Sequence, residues 1–111
     1  MKLIIVCSPY SANILQNTYK AQEYCKYVVR QGHTPFAPHL FFPRFLNEHN
    51  REEREIGIKL GIEILKRANE LWIFGDKVTA GMRKEIEAAR EHGKPIKYLK
   101  GDVIDEKTDG I

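Results

Sequence analysis

Cysteine is scarce in this chain and carries no spacing. Cys7 and Cys25 are the only two, one ending an apolar run and the other on the apolar side of the next helix, so both read as small core residues in a reducing compartment. His33, His39, His49 and His92 form no HxH or HExxH arrangement, and no metal site is expected. No apolar run reaches the length of a membrane span, and Met1-Lys2 leads straight into a strand-length run without a signal-peptide pattern. A cytoplasmic protein without a membrane partner is therefore expected. Charge of one sign is also lacking: the net charge is +3, with bases and acids interleaved as in Arg51-Glu52-Glu53-Arg54-Glu55. No basic stripe with interleaved aromatics offers itself to nucleic acid, although the mild positive charge can draw in a small anion. Neither GxGxxG after the first apolar run nor GxxxxGK[ST] is present, which argues against dinucleotide redox and P-loop chemistry. No cofactor is expected.

What is present is one domain's worth of chain. The 111 residues, 42% hydrophobic and 30% charged, have room for a single domain over residues 1–111 and for a core that needs no disulfide. Leu3 to Cys7 is a continuous apolar run, as a central parallel strand covered on both faces requires. A helix is expected from about Ala12 to Gln31, with Ser11 as its N-cap and Gly32 after its end. Its apolar face holds Ile14, Thr18, Ala21, Cys25, Val28 and Val29. Thr34 to Leu40 reads as an irregular or edge strand because of Pro35 and Pro38. The aromatic-rich Phe41 to Asn50 is too apolar to lie in solvent and is expected to fold over another part of the molecule.

A second helix, Arg51 to Ala68, has apolar residues over more than half its circumference, with Gly57 and Gly61 inside the stripe. The glycines permit close backbone approach, so a bulky residue at Gly61 is expected to overfill the contact. Either the helix is wedged tightly within a monomer or it meets a second copy; a homodimer is expected. Leu71 to Phe74, Ala80 to His92 and Pro95 to Leu99 complete the order as strand, helix and strand, with a polar, loosely held tail from Lys100. Alternating strands and helices predict a small three-layer α/β domain, Rossmann-like or flavodoxin-like, with a parallel sheet of about four strands in order 2-1-3-4. The crevice then opens between the first and third strands, at their carboxyl ends.

The stretch from Thr79 to Pro95 is the most informative. On a wheel of about 100° per residue, Met82, Ile86, Ala89 and Gly93 make one narrow stripe. Glu85 lies roughly 60° from the stripe's centre, a half-buried position, while Lys84, Glu87 and Glu91 fall on the far side. The topology carries Glu85 to the crevice, where two loops meet: Ser8 to Ser11, and Gly75 to Gly81. Glu85 is thus a candidate catalytic carboxylate, the plain alternative being an ion pair with a Lys or Arg at the rim. The turn before its helix presents free N–H groups and a positive dipole end to an anion, and Thr79 either adds a hydroxyl or simply caps the helix. Tyr10 follows the first strand and can hydrogen-bond Glu85 across the crevice, or merely cap it. His39 ends the second strand at the same edge, as a ligand contact, a general acid or a structural histidine. Ser8, Pro9, Asp76, Ala80, Gly81 and Met82 flank these positions and complete the candidate substrate-binding set.

Ile5-Val6-Cys7-Ser8-Pro9-Tyr10, then Gly81-Met82-Arg83-Lys84-Glu85 with Ala88-Ala89 and Gly93-Lys94-Pro95, resembles the nucleoside 2-deoxyribosyltransferase-like superfamily, which includes nucleoside 5′-monophosphate N-glycosidases. The likeness is nearer to its small, often phage-encoded members, which share the Ser-Pro-Tyr start, the Pro-x-x-Pro-His segment and the Trp-x-Phe-Gly-Asp segment. The resemblance implies that Glu85 is the catalytic glutamate and that Tyr10 orients it. Thr79 stands where transferases carry a base-contacting aspartate, and is closer to the phosphate-binding serine of the glycosidases. Cleavage or transfer at the N-glycosidic bond of a nucleoside or nucleotide is the activity implied. A protein that binds or sequesters a nucleotide-derived molecule without turnover is the alternative.

Overall fold

The computed structural model describes residues 1–99; the polar tail from Lys100 lies outside the described residues. Four strands, β1 (Leu3–Cys7), β2 (Thr34–Phe36), β3 (Glu70–Phe74) and β4 (Ile96–Leu99), form one parallel sheet in the order β2-β1-β3-β4. This is the α/β Rossmann-like architecture that alternating apolar runs and right-handed crossovers predict. Helices α1 (Ile14–Arg30), α2 (Pro38–Phe41), α3 (Arg51–Arg67) and α4 (Ala80–Glu91) make the connections.

The pleat of the two central strands sorts the core into two layers. Ile5 and Cys7 of β1 with Leu71 and Ile73 of β3 face α3 and α4, meeting Leu65, Met82, Ile86 and Ala89. Ile4 and Val6 with Trp72 and Phe74 face the other way, onto Tyr24, Tyr27 and Val28 of α1. All eight of these strand residues are buried, which is why the runs are continuous rather than alternating.

Four local expectations are corrected. The N-cap of α1 is Asn13, whose Oδ1 accepts from the Gln16 N–H at 3.3 Å; Ser11 instead opens a 3₁₀ turn, Ser11–Asn13. The buried face of α1 is also rotated from the expected one, because Tyr24 stacks on Phe74 at 4.6 Å and Tyr27 meets the same ring edge-on. Those two large rings fill the layer and leave Ile14 and Val29 exposed. Finally, the second strand stops at Phe36. Pro38, with its fixed φ and missing N–H, suits the first position of a helix, and α2 begins there. His39 is therefore helical rather than at a strand end, and Gly93 falls beyond α4 rather than on its buried stripe.

Candidate active site

The carboxyl ends of β1, β2 and β3 converge on one side of the sheet, at the point where strand order reverses. The loops after β1 and β3 touch there. Gly75 holds φ +101°, and a Cβ at that position would come to 3.2 Å from Pro9 Cδ, so both its backbone and its neighbour call for glycine. Above them opens a cleft of about 610 Å³. Tyr10 and Ser11 after β1, His39 on α2, and Thr79, Ala80, Gly81 and Glu85 of the α4 turn line it together.

The other expected positions do not reach the cleft. Ser8 is buried, Pro9 packs on Gly75, and Asp76 is exposed outside the lining. Met82 lies beneath the site as packing: its Sδ accepts from the Thr79 N–H at 3.4 Å and its carbonyl meets the Cys7 thiol at 3.9 Å.

Glu85 is the unusual residue. It is half-buried as a whole, yet its Oε1 is fully enclosed and has no hydrogen-bond partner. Among the described residues no Lys or Arg pairs with it, so the ion-pair alternative is not what the structure shows. Burial pushes its carboxyl up to about 7, with a hydrogen bond from the Cys7 thiol acting the other way. The same closeness, added to burial, holds the Cys7 thiol well above its ordinary range. Glu87 and Glu91 on the opposite side of α4 are exposed, as the wheel predicts.

Thr79 is the N-cap of α4: its Oγ1 accepts from the Met82 N–H at 3.3 Å. Thr79, Ala80 and Gly81, at the start of α4, all line the cleft. Tyr10 does not bond Glu85. Its ring stacks on His39 at 4.6 Å, drawing it toward α2, and its phenol is raised by burial and then by the charge of Glu48. Burial holds His39 neutral down to about pH 4. An imidazolium is thus not present at neutral pH, and His39 is a poor general acid there.

The largest surprise is the third wall. Phe42, Pro43, Leu46, Glu48 and His49 of the connection after α2 fold over the cleft, and Glu53, Arg54, Gly57, Ile58 and Gly61 of α3 face into it. The connection had to cover some part of the molecule; that it covers the site was not legible. It is held by side chains: the Asn47 N–H donates to Glu53 Oε1 at 2.7 Å, and Asn50 caps α3 through the Glu53 N–H at 3.0 Å. Glu48 contributes a second carboxylate whose Oε2 is enclosed without a partner. At Gly61 a Cβ would meet nothing within 4 Å, so the first atom of a side chain has room there. Part of the wide stripe on α3 lines the cleft, part packs through Leu65 into the core, and Ile56 and Leu60 remain exposed. Five cleft residues at spacings of one, three, one and three along α3 were the available signal.

Among the described residues no group of three or more His, Cys, Asp or Glu is placed to hold a metal ion. None of their helices is long and apolar enough to cross a membrane.

Two solved structures share the fold. A 2-deoxyribosyltransferase from the psychrotolerant bacterium Bacillus psychrosaccharolyticus is similar at 26% identity with a TM-score of 0.65, over 88% of this chain and 72% of that one. The flavoenzyme NAD(P)H:(acceptor) oxidoreductase FerB from Paracoccus denitrificans is similar at 10% identity with a TM-score of 0.56, over 90% of this chain and 60% of that one, which bears on the fold alone. The first of these supports, at the level of structure, the resemblance to the nucleoside 2-deoxyribosyltransferase-like superfamily. No curated protein matches the chain. One family profile matches residues 2–99, from the start of β1 to the end of β4 with both crevice loops and the covering connection, and the chain belongs to that family, described as Domain of unknown function (DUF7768).

Proposed function

We propose that the protein cleaves, or transfers at, the N-glycosidic bond of a nucleoside or nucleotide, with Glu85 as the nucleophile. The observation that carries this reading is a buried carboxylate, its Oε1 enclosed without a partner, at the strand-order reversal of a fold shared with a 2-deoxyribosyltransferase. A carboxyl group raised to about 7 is divided between its two forms near neutrality, and the charged form is poorly solvated. Such a carboxylate gains most from the positive charge that develops at the anomeric carbon in an oxocarbenium-like transition state. Its oxygen then forms a bond to that carbon as the bond to the base nitrogen breaks. The base takes a proton from water, and water, or a second base, releases the sugar from Glu85.

Thr79 and the N–H groups of Ala80 and Gly81 suit a 5′-phosphate at the start of α4, favouring a nucleotide over a nucleoside. Tyr10 and His39 are read as walls of the ligand site. Ser8, Pro9 and Asp76 support the crevice loops from outside the cleft. No metal or redox group enters the chemistry.

A second reading rests on one observation: Tyr10 leans onto His39 rather than orienting Glu85. A protein that sequesters a nucleotide-derived molecule needs the cleft but not an oriented nucleophile. Incubation at high protein concentration with ribo- and deoxyribonucleosides and their 5′-monophosphates, followed by chromatography, separates the two. Free base from at least one compound is expected; tight binding without any base release favours sequestration.

A further inference from the structure

Gly57 and Gly61 lie four residues apart inside a helix, where glycine is a much poorer helix former than alanine. Neither residue has a positive φ, so the backbone does not require glycine. Nor does close packing require it at Gly61, where a Cβ would meet no atom within 4 Å, and at Gly57 the nearest would be Leu46 Cδ1 at an ordinary 3.6 Å. Two helix-weakening residues that the fold itself does not call for line one cleft, together with Glu85, whose Oε1 is enclosed without a hydrogen-bond partner. What remains to explain them is space.

We infer that Gly57 and Gly61 bare a flat patch of α3 backbone on which the nucleobase of the ligand lies, with its sugar toward Glu85. This rests on the proposed N-glycosidic reading and extends it to the position of the base. The patch suits a planar ring. The cleft it belongs to is lined by the apolar Phe42, Pro43 and Ile58 as well as the charged Glu53, Arg54 and Lys84, and a Cβ at Gly61 would meet no atom within 4 Å, which leaves room for a ring against the backbone. A cleft of about 610 Å³ has volume for a two-ring base with its sugar phosphate. The glycine pair is then a specificity element: side-chain bulk at Gly61 should exclude the base and spare the rest of the ligand.

The test measures binding by calorimetry in a Glu85→Gln parent, so that turnover does not intervene. The probes are 2′-deoxyadenosine 5′-monophosphate and 2-deoxyribose 5-phosphate, which lacks the base. Gly61→Leu is expected to weaken the nucleotide by about tenfold or more and the sugar phosphate by less than about twofold. Gly61→Ala should show the same discrimination at smaller size while melting at a higher temperature, since alanine is the better helix former. It therefore decides the matter even if the leucine variant does not fold. Unchanged nucleotide binding in both variants, or equal losses for both probes, overturns the inference while leaving the N-glycosidic reading intact. A fall in oligomer mass without loss of nucleotide binding also overturns it, assigning the patch to a second copy. A parent that binds neither probe removes both the inference and the reading beneath it.

Discussion

Burial of its carboxyl makes ionised Glu85 a cost to the stability of the folded chain. Its carboxyl is raised from 4.5 to about 7, so the folded state holds the proton more tightly than the unfolded chain does. The stability tied to that proton is complete below about pH 4.5 and is lost as pH rises through about 7. Glu85→Gln, neutral at every pH, should therefore match the wild type near pH 4 and exceed it at pH 8 by on the order of 3 kcal/mol. Denaturant midpoints at the two pH values check this; equal midpoints at pH 8 would mean that the carboxylate is solvated after all. The same titration predicts turnover that climbs with pH and levels off above about 7. The position of Glu85 at the edge of the α4 stripe was legible from helical spacing. Its lack of a Lys, Arg or Tyr10 partner was not, because that depends on where Lys84, Arg54 and Tyr10 point, and each of them points elsewhere or stays exposed.

Elements were legible where one force decides them. The runs Leu3 to Cys7 and Leu71 to Phe74 are apolar enough to be only central strands, and Thr79 is a capping residue placed directly before a helical stripe. Elements decided by competition were not. Pro38 ends β2 and begins α2, two outcomes of one residue, and the aromatic pair Tyr24 and Tyr27 outweighs Ile14 and Val29 for the buried face of α1. The N-terminus of α4 gives a prediction at this scale. Its free N–H groups and dipole are screened when solvated and act more strongly within a cleft. A nucleoside 5′-monophosphate should raise the melting temperature more than its parent nucleoside at equal concentration. If the nucleoside gives the larger shift, Thr79 is only a helix cap.

At the scale of the whole molecule, strand order followed from the alternation of elements and the handedness of crossovers, and it put the crevice at the correct loops. The covering wall escaped because no periodicity reports the path of Phe41–Asn50, which is fixed by its aromatic cluster and by the Asn47–Glu53 hydrogen bond. The exposed Ile56 and Leu60 on α3 remain without a partner in the single chain and motivate a two-fold dimer. Light scattering at tens of micromolar should give twice the chain mass; a monomer mass would leave that surface unexplained. The proposed catalysis rests on one side chain, and one comparison addresses it. Free-base production from a panel of ribo- and deoxyribonucleotides is measured for the wild type, Glu85→Gln and Glu87→Gln. Base release should collapse in Glu85→Gln and stay near the wild-type rate in Glu87→Gln, whose side chain is on the solvent side of α4. Equal rates for the wild type and Glu85→Gln would contradict the assignment of Glu85 as nucleophile.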